Sequence, residues 1–245
     1  MRYKRVLIKL SGGAVAGAQE IGFDQKSIEH IVDEVLSVVS LGVEVAIVVG
    51  GGNIFRGNVA RAWGIERAEG DNIGMLGTVI NSLMLRGALK ARGSAEVRVL
   101  SAIPMDAITE PYIRLRAAHH LDKKYIVIFA GGIGQPYVTT DYPAVQRALE
   151  TNCEAILVAK QGVDGVYTAD PKKDKNAKLY ATLSYDDFVS QKLQIMDHSA
   201  LILARDHKLP VHIFNFTQVG SMKKICLGEN MGTYISPTTT ATTVG

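Results

Sequence analysis

The chain has 245 residues, of which 47% are hydrophobic, with 27 Lys and Arg against 24 Asp and Glu. So much apolar content at a formal charge of +3 excludes an intrinsically disordered chain and predicts a real core, in one large domain or two small ones. The basic residues are scattered and no Lys/Arg run is interleaved with aromatics, which argues for a mixed surface and against a nucleic-acid face.

Cys153 and Cys226 have no Cys or His neighbours at metal-binding or redox spacing, so neither a disulfide framework nor a zinc site is expected, and a reducing cytoplasm fits. The basic start resembles a signal peptide, but Lys9 and Ser11 break its apolar stretch short of the roughly 7–15 residues that such a core needs. No apolar run approaches the ~18 residues of a membrane span, and a soluble protein away from membranes is expected.

In chain order, β-branched runs at 5–10, 43–49, 97–100, 125–129, 155–158 and 211–214 read as strands buried on both faces of a mostly parallel sheet. Residues 26–41 form an amphipathic helix, with Ile28, Ile31, Val32, Val35, Leu36 and Val39 on one face and Asp24 as N-cap. A second stripe, Ile73, Leu76, Ile80, Leu83, Met84 and Leu89, reads as core by default or as a subunit interface, although Gly74, Gly77 and Gly87 each weaken a helix by about 1 kcal/mol. Asp141 is expected to cap the helix 145–150, and Ser184 with Asp187 forms a capping-box pattern. Asp197 or Ser199 is expected to cap the helix 200–206. Residues 170–178 read as a charged loop and 236–245 as a frayed tail. The alternation of strands and helices gives an α/β fold with right-handed crossovers.

With 24 Gly against 7 Pro, the glycines do more than make simple turns. They gather at strand exits, in Lys9-Leu10-Ser11-Gly12-Gly13, in Gly50-Gly51-Gly52-Asn53-Ile54-Phe55-Arg56-Gly57 and in Gly131-Gly132-Ile133-Gly134-Gln135-Pro136. In an open parallel sheet ligands bind at the carboxyl ends of strands, and successive backbone N–H groups there make anion-binding concavities. A phosphate-rich ligand is the natural candidate, yet the Walker pattern is absent and Phe55 stands where a third dinucleotide-binding glycine belongs. Lys9 interrupts an apolar strand, so it either reaches the mouth of the sheet or meets an anion, and Arg56 offers a planar fork to a phosphate. Asp71, Asp141, Asp164, Asp170 and Asp197 lie near loop ends, where each is either a helix cap or a group that orients a lysine, a ribose hydroxyl or a Mg²⁺. The six histidines form no ligand face, and no nucleophile elbow is present.

Taken together, Tyr3-Lys4-Arg5-Val6-Leu7-Ile8-Lys9-Leu10-Ser11-Gly12, the glycine run 50–57, Asp71-Asn72-Ile73-Gly74-Met75-Leu76 and Val163-Asp164-Gly165-Val166-Tyr167-Thr168-Ala169-Asp170-Pro171 closely resemble the bacterial uridylate kinases. So does Met196-Asp197 followed by Ala204-Arg205-Asp206-His207-Lys208-Leu209-Pro210, and the likeness runs in order from Tyr3 to about Ser236. Those enzymes belong to the amino acid kinase superfamily, which implies a three-layer α/β/α sandwich around a mostly parallel sheet. The implied organisation is one domain over 1–245, with an acceptor part at about 1–150, a donor part at about 151–236 and a polar tail at 237–245.

The resemblance implies transfer of the γ-phosphoryl group of ATP to UMP, in the supply of pyrimidine nucleotides. Lys9 would stabilise the transferring group, with Asp141 and Asp197 orienting the lysine and ligands. Lys9, Leu10, Ser11, Gly12, Gly52, Arg56, Gln161, Tyr167 and Asp170 would hold ATP. Gly51, Asp71, Ile133, Gly134, Gln135, Pro136, Tyr137, Val138, Thr139 and Thr140 would hold UMP. Mg²⁺ would ride on the ATP phosphates without a direct protein ligand. A cytoplasmic homohexamer, activated by GTP and inhibited by UTP, is also implied. Against the family pattern, Ile133 removes a hydroxyl, Gln135 lengthens an Asn side chain and Gly13 stands where Glu is common. A sibling acting on a carboxylate or carbamate would share the ATP half. A non-catalytic oxyanion binder would not need Lys9, Arg56 and Asp197 together.

Overall fold

A computed structural model describes residues 1–244 apart from Glu20, Ser94, Lys172, Lys192 and Gln194. The first half runs β1 (Arg5–Leu10), α1 (Gly12–Ala16), α2 (Gln25–Val39), β2 (Glu44–Val49), α3 (Gly57–Ala62), α4 (Arg67–Arg92), β3 (Val97–Ser101), β4 (Glu110–Pro111), α5 (Arg114–Asp122) and β5 (Ile126–Ala130). There follow α6 (Asp141–Glu150), β6 (Ala155–Lys160), β7 (Tyr180–Leu183), α7 (Tyr185–Ser190), α8 (His198–Asp206), β8 (Val211–Asn215), α9 (Ser221–Leu227), β9 (Gly232–Ile235) and β10 (Thr242–Thr243).

Period-two alternation along the central strands splits the core into two layers. Val6, Ile8 and Leu10 of β1, with Val45, Ile47 and Val49 of β2, face one cluster covered by α1, α2, α4 and α9. Leu7, Ala46 and Val48 face the opposite cluster, covered by α5, α6, α7 and α8. Because both faces are covered, these strands read as continuous apolar runs. The sheet order is β10-β7-β9-β8-β6-β1-β2-β5-β3-β4. Its pairs are parallel except β10 with β7 and β8 with β9. The expected α/β/α sandwich is therefore present.

Several expectations need correction. The tail is not frayed throughout, since Thr242 and Thr243 pair with β7 and the Thr239 hydroxyl donates to the Leu183 carbonyl; Gly245 lies outside the described residues. Residues 170–178 do form a loop, of which Lys172 lies outside the described residues. Helix α2 and its Asp24 cap occur as expected, as does the Ser184–Asp187 capping box.

Helix α4 is the larger surprise, spanning 26 residues despite its glycines. Its buried side is mostly polar and small, with Gly70, Gly77, Thr78, Val79, Asn81, Ser82, Leu85 and Leu89 turned inward. Leu76, Ile80 and Met84, expected in the core, are instead 41%, 45% and 38% exposed. The inward face is set by contact with glycine loops, which large side chains would block: a Cβ on Gly77 would lie 3.0 Å from Gly51 O.

Glu34 of α2 is 2% exposed and accepts from the backbone N–H groups of Gly220 and Met222 and from the Ser221 hydroxyl. It thus satisfies the start of α9 from a distant part of the chain, with its charge at the favourable end of the helix dipole. Glu34→Ala leaves these donors buried without a partner and should cost about 2–4 kcal/mol, read as a lower urea midpoint with unchanged slope; an unchanged midpoint would refute the long-range cap.

Candidate functional site

The carboxyl ends of β1, β2 and β5 deliver the three glycine loops to one cavity of about 520 Å³, lined among others by Lys9, Gly12, Gly52, Arg56, Asp71 and Thr140. Helix α4 holds two of these loops by its polar side. Asn81 Nδ2 donates to Gly50 O at 2.7 Å and to Asn53 Oδ1 at 2.6 Å, while Asn53 Nδ2 donates back to Asn81 Oδ1 at 3.0 Å. The Thr78 hydroxyl accepts from Gly131 N at 2.8 Å. The glycines have distinct reasons. A Cβ on Gly51 would overlap the Gly74 carbonyl, and one on Gly12 would lie 2.6 Å from Gly52 N, so these two permit loop packing. Gly52 has open space where a Cβ would stand, facing the cavity.

Lys9 shares the sheet face of Leu7, towards α6, and is only 7% exposed. Its ammonium forms an ion pair with Asp141. Only the expected capping role of Asp141 is corrected: α6 begins at Asp141 itself, Thr140 occupies the N-cap without a side-chain bond, and the Asp141 carboxylate turns to the buried cation. A desolvated ammonium has the stronger claim on a carboxylate, since a helix end near solvent can be satisfied by water.

Asp141 Oδ2 also accepts from Asp197 N at 3.1 Å. The Asp197 carboxylate turns elsewhere, accepting from Ser199 N at 2.9 Å and Ser199 Oγ at 2.8 Å as the cap of α8, and from Thr139 Oγ1 at 2.9 Å. Burial alone would raise its pKa, but the Ser199 and Thr139 hydrogen bonds more than offset this and hold it below the ordinary value. Of the two aspartates expected to orient Lys9, only Asp141 touches it by its carboxylate, and Asp197 bears on Asp141 through its backbone.

In the acceptor loop, Ile133, Gln135, Val138, Thr139 and Thr140 line the cavity. Tyr137 is 59% exposed in the left-handed region, with φ 68°, and its N–H donates to Asp71 Oδ2 at 2.8 Å. Arg147, stacked 3.6 Å over the Tyr112 ring, supports the loop entrance by donating to Gly132 O at 3.3 Å. Gly134, Pro136 and Leu10 are not among the residues that line the cavity; the Leu10 side chain is fully buried in the core and its carbonyl accepts from Gly50 N at 2.9 Å.

A second cavity, of about 810 Å³, lies at the ends of β6 and the following loop and is bordered by Lys160, Gly162, Tyr167 and Asp170. Gln161 is exposed between two of these lining residues. Tyr167 OH donates to Asp164 Oδ2 at 3.2 Å, and Asn215 Nδ2 to Asp164 Oδ1 at 3.0 Å. Lys160 Nζ donates to Ile195 O at 2.6 Å. The sequence alone ends this strand at residue 158 and passes over Lys160, although the signal is there: a lysine that closes an apolar run. Among the described residues no group of three or more His, Cys, Asp or Glu is placed to hold a metal ion. With Asp141 and Asp197 both engaged, the donor chemistry suits Mg²⁺ carried on phosphate and water.

The model of the amino acid kinase family matches residues 4–215. The chain belongs to that family. It is 59% identical over 235 residues to the uridylate kinase of Frankia casuarinae, covering 96% of this chain and 91% of the relative. It is 49% identical to that of Rickettsia typhi, covering 96% and 94%. Among solved structures, the UMP kinase from Bacillus anthracis superposes with a TM-score of 0.98 at 61% identity over 100% of both chains. The UMP kinase from Ureaplasma parvum gives 0.90 at 34% identity, covering 96% of this chain and 100% of that one. Both cavities lie at the carboxyl ends of central strands of this sheet.

Asn81→Ala should destabilise the protein by about 2 kcal/mol, because Gly50 O and the Asn53 amide lose their buried partner. Calorimetric melting checks this, and a melting temperature equal to the parent's would show that the amide pair does not hold the loop.

Proposed function

We propose that the protein transfers the γ-phosphoryl group of ATP to UMP, giving ADP and UDP for pyrimidine nucleotide synthesis. The observation that carries this reading is the buried Lys9–Asp141 pair at a glycine-lined cavity, beside a second cavity on the adjoining strand. The relatives named as uridylate kinases supply the identity of the acceptor. Residues 1–150 would serve the acceptor and 151–236 the donor.

Phosphoryl transfer asks mainly for positioning and charge neutralisation. Lys9 neutralises charge on the transferring group, while Asp141 fixes the ammonium and Asp197 fixes Asp141. Backbone N–H groups of 10–12 and 52, with Arg56, cradle the triphosphate, and Gln161, Tyr167 and Asp170 border the rest of the donor. Gly51, Asp71 and residues 133–140 receive UMP. No general base is required, because a nucleotide phosphate is already ionised at neutral pH. Mg²⁺ enters as Mg·ATP, where it neutralises phosphate charge.

ADP release with Mg·ATP should occur with UMP and be absent with CMP, acetylglutamate, aspartate and carbamate; ADP formed with another acceptor in place of UMP overturns the reading. Lys9→Ala should lower turnover by about 10²–10³, and turnover within a few-fold of the parent in a folded variant removes Lys9 from that role.

The assembly we propose is a cytoplasmic homohexamer, activated by GTP and inhibited by UTP. Its support is the apolar stripe Leu76, Ile80 and Met84, which lies on the outward face of α4. Sedimentation should give six times the 26.5 kDa chain mass, and Ile80→Glu should shift the protein towards smaller species. A monomer for the parent rejects the assembly, and activity titrations with GTP and UTP test the effectors.

A further inference from the structure

Lys160 borders the second cavity on β6, the strand paired with the β1 strand that carries Lys9. The β1–β6 register sets Lys9 opposite Val158, and Val158 packs in the same core cluster as Leu7, so Lys9 and Val158 share a sheet face. Lys160, two residues beyond Val158 on the same strand, returns to that face. Lys9 lines the first cavity and Lys160 the second. An ammonium has three donors, and the hydrogen bond found for Lys160 among the described residues goes to Ile195 O at 2.6 Å.

We propose that Lys160 is a second catalytic cation, which grips the terminal phosphates of the donor from the β6 side while Lys9 meets the transferring group from the β1 side. This rests on the ATP-dependent reading above. Two cations on neighbouring strand ends repel one another until an anion lies between them. Burial first, and then the Lys9 ammonium, press the Lys160 pKa below its ordinary value, with Asp141 opposing them. A polyanion entering this gap relieves the repulsion, and the low local dielectric strengthens each contact. The plainer role for Lys160 is to pin the Ile195 carbonyl, and so the approach to Asp197. The two roles make different demands, since pinning needs a donor and phosphate binding needs a charge.

Lys160→Gln keeps a donor for Ile195 and removes the charge, whereas Lys160→Arg keeps both. We expect Lys160→Gln to lower kcat/KM for ATP about 10²-fold and to weaken equilibrium binding of Mg·ATP and of magnesium tripolyphosphate roughly tenfold. Calorimetric affinity for UMP and the melting temperature should stay at parent values, and Lys160→Arg should recover most of the loss. Parent-like ATP kinetics and tripolyphosphate binding in Lys160→Gln would overturn the proposal, as would equal losses of UMP affinity and stability. Should the parent form no ADP with UMP, the reading of the reaction fails by itself, and the two binding measurements still decide the role of Lys160.

Discussion

A lysine ammonium almost wholly removed from water is the constraint around which this molecule is arranged. Lys9 arrives on a strand whose other residues are committed to two apolar layers, and a charge in that position must be matched by a carboxylate. Asp141 provides it, at the cost of its place as a helix cap, and so fixes where α6 begins against the sheet. Asp197 then anchors Asp141 by its backbone while its own carboxylate caps α8 and holds Thr139. One buried charge thereby sets the relative positions of β1, α6, α8 and the acceptor loop.

Around that charge, the glycine loops are held by protein before any ligand arrives. The reciprocal Asn53–Asn81 bonds and the Thr78 hydroxyl tie two strand exits to α4, and the tight approach of Gly51 and Gly77 leaves the loop little freedom. Loops fixed in this way have already lost their conformational entropy during folding, so less is lost when an anion binds. Some glycines that look like phosphate contacts in the sequence are thus spacers between a loop and a helix, whereas Gly52 has open space towards the cavity.

The central strands, the α2 helix with its Asp24 cap and the three glycine exits were legible because each depends on local spacing. Lys9 was legible for the same reason, a charge breaking an apolar run. What escaped depends on distant partners. The inward face of α4 follows from loops distant in the sequence, so its large apolar residues face outward against the ordinary reading of a stripe. Asp141 looks like a cap until the lysine it meets is known. The short strands β4, β9 and β10 have little periodicity of their own, and their pairing is supplied by the sheet. Lys160 breaks its apolar run as plainly as Lys9 does, but without a glycine run behind it.

Helix α4 presents one side to the glycine loops and the other, through Leu76, Ile80 and Met84, to the outside. The two sides are separated by one helix diameter, about 10 Å. At Gly74 and Gly77 the inner side meets the Gly51 backbone directly, and around that contact the Thr78 and Asn81 side chains tie the helix to the loops. A displacement of α4 towards the sheet would therefore meet the Gly51 backbone first, at the mouth of the cavity.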